Sequence, residues 1–96
     1  MANSLISVQI IPKTKELKDV IPFVDAAIAI IEAAGVKYKV QPLETTMEGD
    51  LSELLHIIEV MNKKMIELGS VNVITQVKIL YQPTGITMET LTEKYH

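Results

Sequence analysis

Three observations predict an α+β sandwich of order βαββαβ with an added C-terminal helix. Apolar residues recur with period two at both ends of the chain, helical-period stretches lie between, and glycine or proline stands at almost every change of period. That order is the ferredoxin-like arrangement, an antiparallel sheet with helices on one face. The 96 residues make one domain, 1–96.

Residues 4–11, SLISVQII, place Ile6, Val8 and Ile10 on one face and Leu5, Ser7, Gln9 and Ile11 on the other, with Pro12 as the expected stop. The polar KTKELKD that follows reads as a loop. From Asp19 the period becomes helical: Val20, Phe23 or Val24, Ala27, Ile28, Ile31 and Ala34 form a stripe, Pro22 sits in the first turn, and Gly35 supplies the stop. KYKVQP, with Tyr38 and Val40 on one face and Pro42 limiting its pairing, is a short strand at or near an edge.

ETTME is expected to return antiparallel to that strand, and Gly49 to hold a backbone position other residues resist. Asp50 and Glu53 have the spacing of a capping box for a second helix carrying Leu51, Leu54, Leu55, Ile58, Met61, Met65 and Leu68, closed by Gly69. VNVITQVKILY, residues 71–81, is the longest strand. After a QPTG turn, Thr87 is placed to cap a last short helix with Met88, Leu91 and Tyr95 on one side.

Length suggests that strands one and four are central and the short strands lie at the edges. Both helices then cover Ile6, Val8, Ile10, Val73, Val77 and Ile79. The opposite face shows Leu5, Ser7, Gln9, Ile11, Ile74, Gln76, Lys78 and Leu80, too apolar for free water and too polar for a core. A chain of this size buries only roughly 60–65% of its unfolded surface. With 48% apolar residues and a mean hydropathy of +0.26, it is expected to need other copies of itself.

Composition excludes several classes of function. The absence of cysteine removes disulfides, zinc thiolates and a thiol nucleophile. A net charge of −3 with nine dispersed lysines argues against nucleic acid. Residues 1–11 lack the basic start and apolar block of an export signal, and no apolar run approaches the roughly 20 residues that span a bilayer, so a cytoplasmic protein without a membrane partner is expected.

No catalytic residue is expected. The four serines lack a glycine-flanked elbow or a neighbouring base, and the four glycines form no phosphate loop. His56, with Glu53 and Glu59 three residues to either side, reads as a surface ion pair, because zinc spacing requires a second imidazole one turn away. The methionines form no MxxM or MxM cluster, so neither metal nor cofactor is expected. Glu44, Glu48 and Asp50 of ETTMEGD are the densest carboxylate group, but alternation separates Glu44, Thr46 and Glu48 from Thr45 and Met47, and Asp50 is assigned to the cap. Thr45, Thr46 and Glu48 are therefore the first candidates for a polar small-molecule site. Ser7, Gln9, Asn72 and Gln76 are the second, as neutral donors and acceptors suited to an uncharged heterocycle.

The strand SVQIIP, the segment KYKVQPLETTMEGD, the long strand ending in ILY and the tail GITMETLTEKY together resemble the small thiamine-binding protein family of bacteria, archaea and yeast. The most specific part is Y-x-V-x-P-x-x-T-x-x-E-G-D, formed by Tyr38, Val40, Pro42, Thr45, Glu48, Gly49 and Asp50. The resemblance covers nearly the whole chain and implies a ferredoxin-like subunit that dimerises through its sheet and assembles as a homotetramer, a dimer of dimers. It also implies binding of thiamine (vitamin B1) or its hydroxymethylpyrimidine moiety without catalysis. Related two-repeat proteins accompany thiamine-precursor uptake, and this chain holds one repeat. The competing reading is a regulatory or scaffold protein of the same fold acting through protein contacts.

Overall fold

A computed structural model describes residues 2–14 and 20–93. The elements run β1 (Ser4–Lys13), α1 (Ile21–Ala33), β2 (Lys37–Val40), β3 (Thr45–Gly49), α2 (Leu51–Glu67), β4 (Asn72–Tyr81) and α3 (Met88–Thr92). The expected βαββαβ order with an added helix is present. Segment 15–19, including the helix start placed at Asp19, and Tyr95 and His96 lie outside the described residues.

The four strands form one antiparallel sheet in the order β2-β3-β1-β4. This corrects the placement by length: β3, although five residues long, is interior, and β4, although ten, is an edge. Hydropathy reports which face of a strand is buried but not which strand lies beside it, so the order is set by the connections. All ten residues of β1 pair with β4, from Ser4 opposite Tyr81 to Lys13 opposite Asn72, while β3 pairs only with Ser4 to Val8.

β1 also runs through Pro12 instead of stopping there. The N–H of Lys13 donates to Ser70 Oγ (2.9 Å) and its carbonyl accepts from the Val71 N–H (2.6 Å), so both point toward β4. Backbone groups alternate sides along a strand. The N–H that Pro12 lacks therefore belongs on the β3 side, where β1 has no ladder partner beyond Val8. Buried Ser70 locks this end, its hydroxyl also reaching the Asn72 carbonyl at 2.6 Å.

The core lies between the helices and one face of the sheet: Ile6, Val8 and Met47 from the strands, Phe23, Ala27 and Ile31 from α1, and Leu54, Ile57, Ile58, Met61 and Met65 from α2. Gly35 (φ 76°) and Gly69 (φ 107°) end the two long helices in the left-handed region. Gly49 does not adopt such a backbone. A Cβ there would lie 3.2 Å from Leu54 Cδ2, so its smallness serves the close approach of α2.

The capping box is replaced by a distant residue. Asp50 occupies the N-cap position of α2 without a side-chain cap bond, and the Leu51 N–H donates to Asn3 Oδ1 at 3.0 Å. Thr87 does cap α3, accepting from the Thr90 N–H at 3.1 Å. Among the described residues His56 forms no close ion pair with Glu53 or Glu59: Glu59 binds Lys63 Nζ at 2.8 Å, and that contact, with a smaller Coulombic pull from His56, holds its carboxyl below the usual glutamate value.

Helix cover is incomplete over β4. Val77 and Ile79 stay 41% and 45% exposed although their cross-strand partners Val8 and Ile6 are 3% and 0% exposed. α1 packs on α2 and β1, and α2 reaches β4 near its start, where Thr75 Oγ1 donates to Asn62 Oδ1 at 2.7 Å. The later half of this edge strand is thus apolar and bare on the helix side, with Leu80 exposed on the other.

Candidate functional site: the open face of the sheet

The face away from the helices is read most directly as rows of side chains, one from each strand, with neighbouring strands roughly 4.8 Å apart. Register gives Lys37, Glu48, Leu5 and Leu80 in one row, and Lys39, Thr46, Ser7 and Lys78 in the next. Gln9 with Gln76, Ile11 with Ile74, and Lys13 with Asn72 follow toward the far end.

The C-terminal segment returns over the first row. Gln82 N–H donates to the Asn3 carbonyl (2.8 Å), Ile86 N–H to the Ala2 carbonyl (3.0 Å), and Met88 N–H to Glu48 Oε1 (2.8 Å). Lys37 Nζ pairs with the Glu89 carboxylate. Leu5 and Ile86 are both buried as a result. The hydrogen bond within the Lys37–Glu89 pair raises the lysine pKa above 10.5 and lowers that of the glutamate below 4.5.

Beyond that strap the face is open. Ser7, Gln9, Glu44, Gln76, Val77 and Lys78 line a depression of about 490 Å³. The Ser7 hydroxyl is the feature that folding does not explain: Oγ is shielded from solvent and has no hydrogen-bond partner. An unmade hydrogen bond of this kind costs about 1–3 kcal/mol.

Of the seven residues singled out in the sequence, Ser7, Gln9 and Gln76 come together in this depression, and Thr46 is next to Ser7 in its row. Glu48 lies one row away and holds the strap. Thr45 is on the opposite face, buried, at the wall of a second cavity of about 210 Å³ between α1 and the β2–β3 loop, with Val8, Ile31, Val40 and Pro42; Gln9 and Glu44 border both this cavity and the depression. Asn72 borders a shallow groove with Asn62 and Ile66 at the far end. One ligand on one face of one subunit cannot touch all seven. Glu44, Lys39 and Lys78 join the open-face group. The alternation that placed Lys78 beside Gln76 on that face was the available signal, and the pairing of Lys39 with Thr46 needed the register.

Among the described residues no group of three or more His, Asp or Glu side chains converges to hold a metal, and no helix is long and apolar enough to cross a membrane. The open face instead offers amides, hydroxyls and charges of both signs, a set for recognition. Residues 6–96 match the family model described as thiamine-binding protein. The chain belongs to the thiamine-binding protein family.

Relatives agree in sequence and in shape. The chain is 41% identical over 90 residues to a UPF0045 protein of Clostridium perfringens, covering 94% of each. A solved domain of unknown function, DUF77, from Bacillus cereus superposes with a TM-score of 0.91 at 36% identity, over 100% of this chain and 93% of that one. A Thermotoga maritima structure, of a protein proposed to act in thiamine biosynthesis or salvage, gives 0.87 at 26% identity over 98% and 99%.

Proposed function

We propose that the protein is a non-catalytic, cytoplasmic binding protein for thiamine or its hydroxymethylpyrimidine moiety, working as a homo-oligomer, a tetramer built as a dimer of dimers. The observation that carries the reading is the unpartnered Ser7 hydroxyl in a depression whose other polar groups are Gln9, Gln76, Glu44 and Lys78. An aminopyrimidine presents neutral donors and acceptors along one edge, which two amides and a hydroxyl can meet. The thiazolium is cationic, and Glu44 at the rim attracts it. Family membership and the salvage role proposed for the Thermotoga maritima relative support the same ligand.

The oligomer rests on surface chemistry. Ile11 and Ile74 are exposed on the open face, and Val77, Ile79, Leu80 and Tyr81 leave the β4 edge apolar on both faces. A second subunit covering these residues also deepens the depression. Titration calorimetry with thiamine and with hydroxymethylpyrimidine is the test, alongside light scattering. Saturable heat with a tetramer mass is the expected result. No heat at millimolar ligand, together with a stable protein partner in pull-downs, replaces this reading with the scaffold one.

A further inference from the structure

We infer that the row Lys39, Thr46, Ser7 and Lys78 is a subsite for a phosphate monoester, so that the open face takes the phosphorylated form of its ligand in preference to the free alcohol. The inference deepens the proposed function and rests on it for the heterocyclic half of the ligand. Its own basis is the register: Lys39 pairs with Thr46, Thr46 with Ser7, and Ser7 with Lys78, which lines up two hydroxyls flanked by two ammonium groups across all four strands.

The spacing suits one tetrahedral anion. Side chains directly opposite each other on neighbouring strands have Cβ atoms about 5 Å apart, so the Ser7 and Thr46 hydroxyls can donate to different oxygens of one phosphate. Each lysine stands one strand further out on a flexible four-carbon stem, long enough to bring its ammonium inward over the hydroxyls. The two cations are uncommitted: among the described residues neither Lys39 nor Lys78 has an ion pair, whereas Lys37, Lys63 and Lys64 each do. The Ser7 hydroxyl has no acceptor to donate to, and a phosphate oxygen supplies one once the side chains that shield it from solvent turn aside.

The acidic neighbours fit this assignment. Glu48, in the row beneath the strap, is engaged by the Met88 N–H. Glu44 lies on the other side, at the depression that holds Gln9 and Gln76. The amide row is two residues along the strands from the hydroxyl row, about 7 Å at roughly 3.3 Å per residue. A ligand with a polar heterocycle at one end and a phosphate at the other therefore meets amides and a carboxylate first, then hydroxyls and lysines. Free thiamine uses Ser7 with the amide row and leaves Thr46 and the two lysines unused.

Calorimetry on the full chain with thiamine, thiamine monophosphate and inorganic phosphate tests the subsite, using the parent, Lys39→Met, Lys78→Met and the double variant, with Lys63→Met as a surface control. The monophosphate is expected to bind at least about tenfold tighter than thiamine, as charge-assisted hydrogen bonds to phosphate imply, and to weaken steeply with salt. The double variant loses that preference, read as the ratio of monophosphate to thiamine affinity on the same protein, while Lys63→Met changes neither affinity. Equal affinity for ester and alcohol, or a preference that survives the double variant, overturns the subsite while leaving thiamine binding intact. Lysine-dependent phosphate binding without thiamine binding upholds the subsite and removes the thiamine reading. Failure of every phosphate-bearing ligand overturns the subsite whatever thiamine does.

Discussion

Replacing Ser7 by alanine is expected to separate stability from binding. The hydroxyl lies in a solvent-shielded position without a partner, so the ligand-free protein carries most of its desolvation cost, about 1–3 kcal/mol, with no compensating bond. Alanine removes that cost and loses one atom's packing contacts, leaving a net stabilisation of about 0 to 1 kcal/mol. At roughly 4–8 °C per kcal/mol for a domain of this size, the melting temperature stays level or rises by a few degrees. With ligand present the sign reverses. A neutral hydrogen bond contributes about 0.5–1.5 kcal/mol net, so the variant binds about three- to tenfold more weakly. Thermal melts with and without thiamine, beside calorimetry, read both quantities on one preparation. A Ser7→Ala protein that melts several degrees lower in the absence of ligand and binds thiamine as the parent does refutes the reasoning.

Three further outcomes follow from the hydrogen bonds. Glu48→Ala should release Met88, seen as faster amide exchange at residues 86–90, with thiamine affinity within about twofold of the parent. The Lys37–Glu89 pair should loosen the same segment at both pH extremes. Glu89 is lowered from 4.5, so its contribution is present above that value and lost as pH falls through the lower folded pKa; Lys37 is raised from 10.5, so its contribution is lost only as pH rises beyond that, and exchange at Met88 across the range reads both. Asn3→Ala should cost about 1 kcal/mol through loss of the Leu51 cap, whereas Asp50→Ala is near neutral; equal losses in urea unfolding would contradict the assignment of the cap.

The fold was largely legible because period and punctuation are local properties. The alternation of SLISVQII, the stripes of both long helices and the stops at Gly35 and Gly69 all fall within a few residues of what they determine. Long-range choices were not legible. Asn3 displaces the capping box at Asp50 by accepting from Leu51, 48 residues away, and Glu48 is taken by a backbone N–H 40 residues on. The candidate site was legible in its parts: period two already put Ser7 with Gln9 on one face and Thr45 opposite Thr46. Which residue stands beside which across strands came only with the register, and that is what makes Ser7, Thr46, Lys39 and Lys78 one row.

On the proposed reading, ligand sits on the open face and not in the cavity behind β3. Backbone amide NMR during a thiamine titration tests it most directly. Shifts concentrated at Ser7, Thr46, Gln76 and Lys78 are the predicted result. Shifts centred on Val24, Ile31, Pro42 and Thr45, with the open face silent, would contradict it and move the site between α1 and the sheet.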